Sequence, residues 1–124
     1  MKRDIDLIRR LMLIVDAKQG SHGLKADDLE VDDFSLEAIT YHLYMMAEAG
    51  MLVSEPFHSV QHPEHRFDVI VYELSWQGHE YLDLIRDMAL WTDIRQKMAH
   101  TGTHGFALAI ELARTELRKR LEAG

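Results

Sequence analysis

Three side chains with hydrogen-bonding and stacking capacity crowd the run Ile39-Thr-Tyr-His-Leu-Tyr44. Thr40, Tyr41 and Tyr44 offer hydroxyl groups to phosphate oxygens or base edges, and the tyrosine rings can also stack. Leu36, Ile39, Leu43 and Met46 recur at helical spacing, so Glu37, Thr40, Tyr41, Tyr44 and Glu48 are expected together on the opposite, outward face. The run contains no Lys or Arg, and Glu37 and Glu48 would repel phosphate unless one of them accepts from a cytosine amino group. Arg66, at the head of a later alternating run, supplies a guanidinium for a phosphate. A tyrosine-rich helix face suits a protein interface equally well, because aromatic rings bury area at low entropic cost.

A second cluster is histidine-rich. His58, His62 and His65 lie within eight residues, with Glu64 and Asp68 close by. Imidazoles with a carboxylate can hold zinc or nickel. A loop containing Pro63 and lacking thiolates would make a loose cage, so no metal is expected there. The chain has no cysteine, which removes disulfides, thiolate zinc sites and cysteine catalysis. No serine sits in a nucleophile elbow, and no carboxylate pair stands in a setting that would shift its pKa. The run His100-Thr-Gly-Thr-His104 has glycine and hydroxyls but no basic residue for a phosphate loop, and reads as a hinge. Neither an enzymatic activity nor a cofactor is expected.

The elements that must position these groups can be read from periodicity. Asp4 caps a first helix to about Lys18, with Ile5, Ile8, Leu11, Met12 and Val15 as its buried stripe. Gln19-Gly-Ser-His-Gly23 is a turn. Leu24 to Asp33 is acidic and predicts a short strand, a poor helix, or both in succession. Ser35 then caps a helix that ends at Gly50, a residue able to take the left-handed C-terminal conformation. Met51–Phe57 and Arg66–Leu74 read as the two strands of a hairpin around a polar loop. Ser75 caps another helix that the spacing of Leu84, Met88, Trp91 and Met98 carries towards Ala99. His42 is expected to pack structurally, Trp76 and Trp91 to lie in the core or at an interface, and Met45, Met46 and Met51 to pack in the core rather than form an adaptable surface. After the break at residues 100–105, a last helix runs from about Phe106 to Leu121 and ends among Arg114, Arg118, Lys119 and Arg120.

The 124 residues suffice for a single core, and 47% hydrophobic with 28% charged residues describes an ordinary globular domain. No apolar run approaches a membrane span, and the basic start Met1-Lys-Arg is followed at once by acids, unlike a secretory signal. A cytoplasmic setting without membrane association is expected. The formal charge is -7, and residues 19–57 hold one Lys against eight Asp and Glu. Duplex binding ordinarily needs a basic footprint. Cations lie elsewhere: Lys2, Arg3, Arg9 and Arg10 on the first helix and the cluster at the end of the last.

The order His-Leu, hydrophobe, Ala-Gly, hydrophobes in Tyr41-His-Leu-Tyr-Met-Met-Ala-Glu-Ala-Gly50 resembles the recognition helix and first wing strand of bacterial winged-helix regulators. Tyr72-Glu-Leu-Ser-Trp-Gln-Gly-His79 is similar to the Leu-Thr-x-x-Gly step that ends the wing in many of them. Met1-Lys-Arg-Asp-Ile-Asp-Leu-Ile-Arg-Arg10 and Trp76-Gln-Gly-His-Glu-Tyr-Leu-Asp-Leu-Ile-Arg-Asp87, with Trp91 following, resemble the uncharacterised bacterial and phage family of domain of unknown function DUF2513. That resemblance implies a phage or prophage context and a winged-helix-like fold, with no assigned activity and no site residue to carry over.

The expected fold is therefore α+β and mostly helical: a winged helix-turn-helix over residues 1–99 with a helical extension over residues 100–124, packed on the domain or on a dimer partner. The expected function is a small DNA-binding regulator, homodimeric, touching double-stranded DNA through Thr40, Tyr41, Tyr44 and Arg66. Its rival is a non-enzymatic protein-interaction module on the same scaffold, docking a basic partner on the acidic segment.

Overall fold

A computed structural model describes residues 1–64 and 68–124. The order is α1 (Ile5–Ala17), a 3-10 turn (Ala26–Asp28), α2 (Leu36–Glu48), β1 (Leu52–Phe57), β2 (Asp68–Leu74), α3 (Trp76–Ile85), α4 (Met88–Thr101) and α5 (Phe106–Ala123). The fold is α+β and mostly helical, with five helices and one antiparallel two-stranded sheet among the described residues.

Helix α1 starts where Asp4 accepts from the Asp6 and Leu7 amides, satisfying two donors of the open first turn. It is the central helix, packed against α2, α3 and β2. Leu7 and Arg9 are therefore buried along with the expected stripe of Ile5, Ile8, Leu11, Met12 and Val15. Ser35 caps α2 by accepting from the Ala38 amide at 3.1 Å, and Gly50 ends it with φ 77°.

Residues 24–33 form neither a strand nor an α-helix, only the beginnings of each. Leu24 and Val71 exchange two backbone hydrogen bonds of 2.8 Å, an isolated bridge beside β2. Gly23 makes this approach possible, since a Cβ there would stand 2.2 Å from the Ile70 side chain. A single 3-10 turn follows, where helix-turn-helix order calls for a full second helix. Acids at both of its last positions and only Ala26 buried leave too little apolar stripe to hold a longer helix.

The hairpin pairs Leu52 with Leu74 and Phe57 with Asp68, and its register shifts between Val53 and Ser54, where Tyr72 is the extra, bulged residue. Arg66 and Phe67, expected at the start of the second strand, lie outside the described residues.

Continuity of a helix from Ser75 to Ala99 is corrected: the helix is interrupted between Ile85 and Met88. Asp87 caps α4 by accepting from Leu90 N at 2.9 Å. Arg9, buried on α1, donates to the carbonyls of Ile85 at 2.8 Å and Arg86 at 2.7 Å, which are the open acceptors at the end of α3. Helix α5 packs back on α3 and α4 through Ala109, Ile110 and Ala113, while Leu121 near its end is exposed.

Candidate functional site

Helix α2 carries the residues singled out for chemistry, and its surroundings decide which can reach a partner. It is bordered by α1, by the 3-10 turn and by both strands. Its buried face is correspondingly wider than one stripe and takes in Ile39, Thr40, His42, Leu43 and Met46. The outward placement of Thr40 is thus corrected: it is 8% exposed, and its hydroxyl finds no hydrogen-bond partner among the described residues. Glu37 and Glu48 are exposed as expected, and Tyr41 and Tyr44 are half-buried.

Tyr44 donates to Glu48 Oε1 at 3.1 Å. Desolvation first, then the hydrogen bond and charge of Glu48, hold its phenol above the ordinary tyrosine value. Tyr41 meets the His42 ring edge-on at 5.5 Å. His42 is structural: its Nε2 accepts from the Asp4 amide at 2.7 Å while Nδ1 donates to the Ala38 carbonyl at 2.7 Å. That pairing requires the neutral ring with its proton on Nδ1, and it ties the start of α1 to the middle of α2.

The N-terminal cations do not lie elsewhere in space, as their distance in sequence suggests. Lys2 and Arg3 line one depression with Tyr41, His104 and Phe106, at the exposed edge of α2. Beside it runs a groove of about 360 Å³ lined by Arg3, Ile8, Met45, Met46, Met51 and Phe106. The signal missed in the sequence is the Asp4–His42 bond, which fixes the residues just before α1 against α2.

The other cations divide. Arg9 is spent inside the fold; burial lowers its pKa, with Asp6 and Asp87 opposing, and it lies 5.8 Å from the Trp91 ring. Arg10 donates to the Asp32 carbonyl and lies over Phe34. Arg114, Arg118, Lys119 and Arg120 remain exposed on α5. Arg66 lies outside the described residues.

The loop after β1 folds over the 3-10 turn. His62 stands 3.5 Å from Asp27 and 3.7 Å from Glu64, and His58 lines a depression with Lys25, Asp27 and Asp68. Among the described residues no three histidines or carboxylates converge into a metal cage. His65, the third imidazole of the candidate cluster, lies outside them. Trp91 is core, donating to Asp6 Oδ1 at 2.8 Å, whereas Trp76 is 81% exposed on the first turn of α3.

A second surface lies on the other side of α2. Leu29, Val31, Phe34, Leu36 and Ile39 floor an open groove rimmed by Asp27, Glu30 and Asp32. Its rim carries three of the eight acids of residues 19–57.

Residues 2–104 match the model of a family described as hypothetical protein (DUF2513). An uncharacterised protein of Haemophilus influenzae (strain ATCC 51907 / DSM 11121 / KW20 / Rd) is 30% identical over 95 residues, covering 77% of this chain and 76% of that protein. No solved structure matches the chain. Among the described residues no helix is long and apolar enough to cross a membrane.

Proposed function

The chain belongs to the DUF2513 family, and from that premise we propose that it is a non-enzymatic DNA-binding regulator of phage or prophage type on a winged-helix plan. What supports a winged-helix plan is the order of α1, the bridge at Leu24, the 3-10 turn, α2 and the hairpin, in which the 3-10 turn would stand for a shortened second helix. In this reading α2 enters a major groove and Tyr41 and Tyr44 make contacts. Thr40 contributes only if α2 shifts to free it. Arg66 anchors the wing to phosphate. The observation that carries the reading is the company of Tyr41: Lys2 and Arg3 line the same depression, so the acidic helix has cations at its edge within one chain. Pairing of two copies through α5, with its exposed Leu121, would give the two-fold symmetry of a palindromic site.

The test is fluorescence anisotropy of the purified protein against random-sequence duplex DNA across a salt series. Affinity that falls steeply with salt is expected. Tyr41→Ala should weaken binding at every salt concentration, and Arg66→Ala should also lower the salt slope by about one. Absence of binding at low salt, or indifference to both substitutions, sinks this docking.

The second reading is a protein-interaction module, and the acid-rimmed groove from Asp27 to Ile39 favours it. A basic amphipathic segment would place apolar side chains on Phe34 and Leu36 and its cations against Asp27, Glu30 and Asp32. Loss of duplex binding together with saturable binding of such a peptide would select this alternative.

A further inference from the structure

The groove and the depression beside α2 adjoin, sharing Arg3 and Phe106. We propose that together they form a binding site for a medium-chain carboxylate, with the head group at Lys2 and Arg3 and the chain along the methionine-lined groove.

The argument starts from the helix. Tyr41, Met45, Glu48 and Ala49 recur at helical spacing on one side of α2 and line this combined surface. From Tyr41 to Ala49 is about 12 Å of helix axis, a span that an extended medium acyl chain covers. The floor between is formed by the edges of the buried Ile8, Met46 and Met51, with the half-buried Met45 and Phe106 beside them. The unbranched thioether of Met45 can reshape itself around a flexible chain more readily than a branched side chain does. At about 360 Å³ the groove alone falls within the range of roughly 300–1,000 Å³ that small-molecule sites occupy.

Its two ends differ in charge, which fixes orientation. One end presents Lys2, Arg3, the Tyr41 phenol and the His104 ring, all capable of donating to a carboxylate. The other end is edged by Glu48, whose Oε1 already accepts from Tyr44. An anionic head is attracted to the first end and repelled by the second. An uncharged alcohol of equal chain length would keep the apolar contacts and lose the head-group contacts.

The site stands without the DNA reading, but it has a consequence for it. A carboxylate seated on Lys2, Arg3 and Tyr41 occupies groups that reading assigns to phosphate and to the groove, so the ligand and DNA would compete.

The experiment is a titration of the full chain, labelled with ¹³C at its methionine methyls, with decanoate, and in parallel with decanol and decyltrimethylammonium. Saturable shifts at Met45, Met46 and Met51 are expected with decanoate, with Met12, Met98 and the exposed Met88 unmoved. Arg3→Gln should weaken decanoate about tenfold and leave decanol unchanged. Shifts spread over Met88 as well would mean surface adsorption and overturn the site. So would equal affinity for the acid and the alcohol, or indifference to Arg3→Gln. The readout does not involve DNA, so failure of the DNA reading leaves this result interpretable, and the reverse also holds.

Discussion

At the scale of single residues, the polar groups that hold this fold together are ones whose types suggested surface roles. Arg9 looks like one more cation on a helix flank, yet its guanidinium closes the end of α3 across 76 residues of sequence. Its fork geometry reaches two carbonyls at once, which a lysine ammonium cannot match. Arg9→Gln should lower the unfolding free energy by about 2–3 kcal/mol, since bonds to a charged donor are lost and buried carbonyls are left unpaired. Arg9→Lys should recover only part of this. Urea unfolding followed by Trp91 fluorescence checks it, and wild-type stability in Arg9→Gln would show those carbonyls to be solvated. His42 packs inside the fold, as its place beside the apolar stripe suggests, but through an unforeseen partner. Neither its type nor its spacing signals a ring that bonds a backbone amide 38 residues away. By contrast the caps Asp4, Ser35 and Ser75 were legible, because a cap acts within one turn of its own sequence position.

At the scale of elements, the junction between the hairpin and α3 explains the Leu74-Ser-Trp-Gln-Gly78 step. The Ser75 amide donates to the Met51 carbonyl at 3.0 Å, and its hydroxyl both donates to the Gly50 carbonyl and accepts from the Gly78 amide. A Cβ on Gly78 would stand 2.1 Å from the Met51 carbonyl oxygen, which is backbone and cannot swing aside. Helix propensity favours Gly78→Ala by about 1 kcal/mol. Forcing α3 off Met51 should cost more, so a net loss on the order of 1–3 kcal/mol is expected in thermal or urea unfolding. A neutral or stabilised variant would show that α3 is free to slide. The hairpin has its own titratable tie, in which the Tyr72 phenol donates to Glu55. That hydrogen bond first, then desolvation and the Glu55 charge, raise the Tyr72 pKa. A folded pKa above the unfolded value of about 10 contributes stability that is intact below pH 10 and lost as pH rises through the folded value. Stability should therefore fall in that alkaline window, and Tyr72→Phe should flatten the fall. Equal losses in both proteins would assign the effect to another group, Tyr44 being the other raised phenol.

At the scale of the whole molecule, charge bookkeeping along the chain misjudged where charge lies in space. The one-dimensional count separates Lys2 and Arg3 from the acidic stretch that contains α2, and folding sets both cations beside Tyr41. Asp27, Glu30 and Asp32, already close together in the sequence, stand in the fold around one apolar groove. The sequence by itself determined helices α1, α2 and α5, the caps Asp4, Ser35 and Ser75, the hairpin and the apolar stripes of α1 and α2. These follow from hydrophobic period and from hydrogen bonds closed within a turn. It also carried the family. Only the tertiary structure decided that α1 is central, that Thr40 is buried, that the helix from Ser75 breaks at Arg86 and Asp87, and that Leu24 bridges to Val71. Each of those depends on a partner tens of residues distant, and one sequence read alone carries no term for that partner's position.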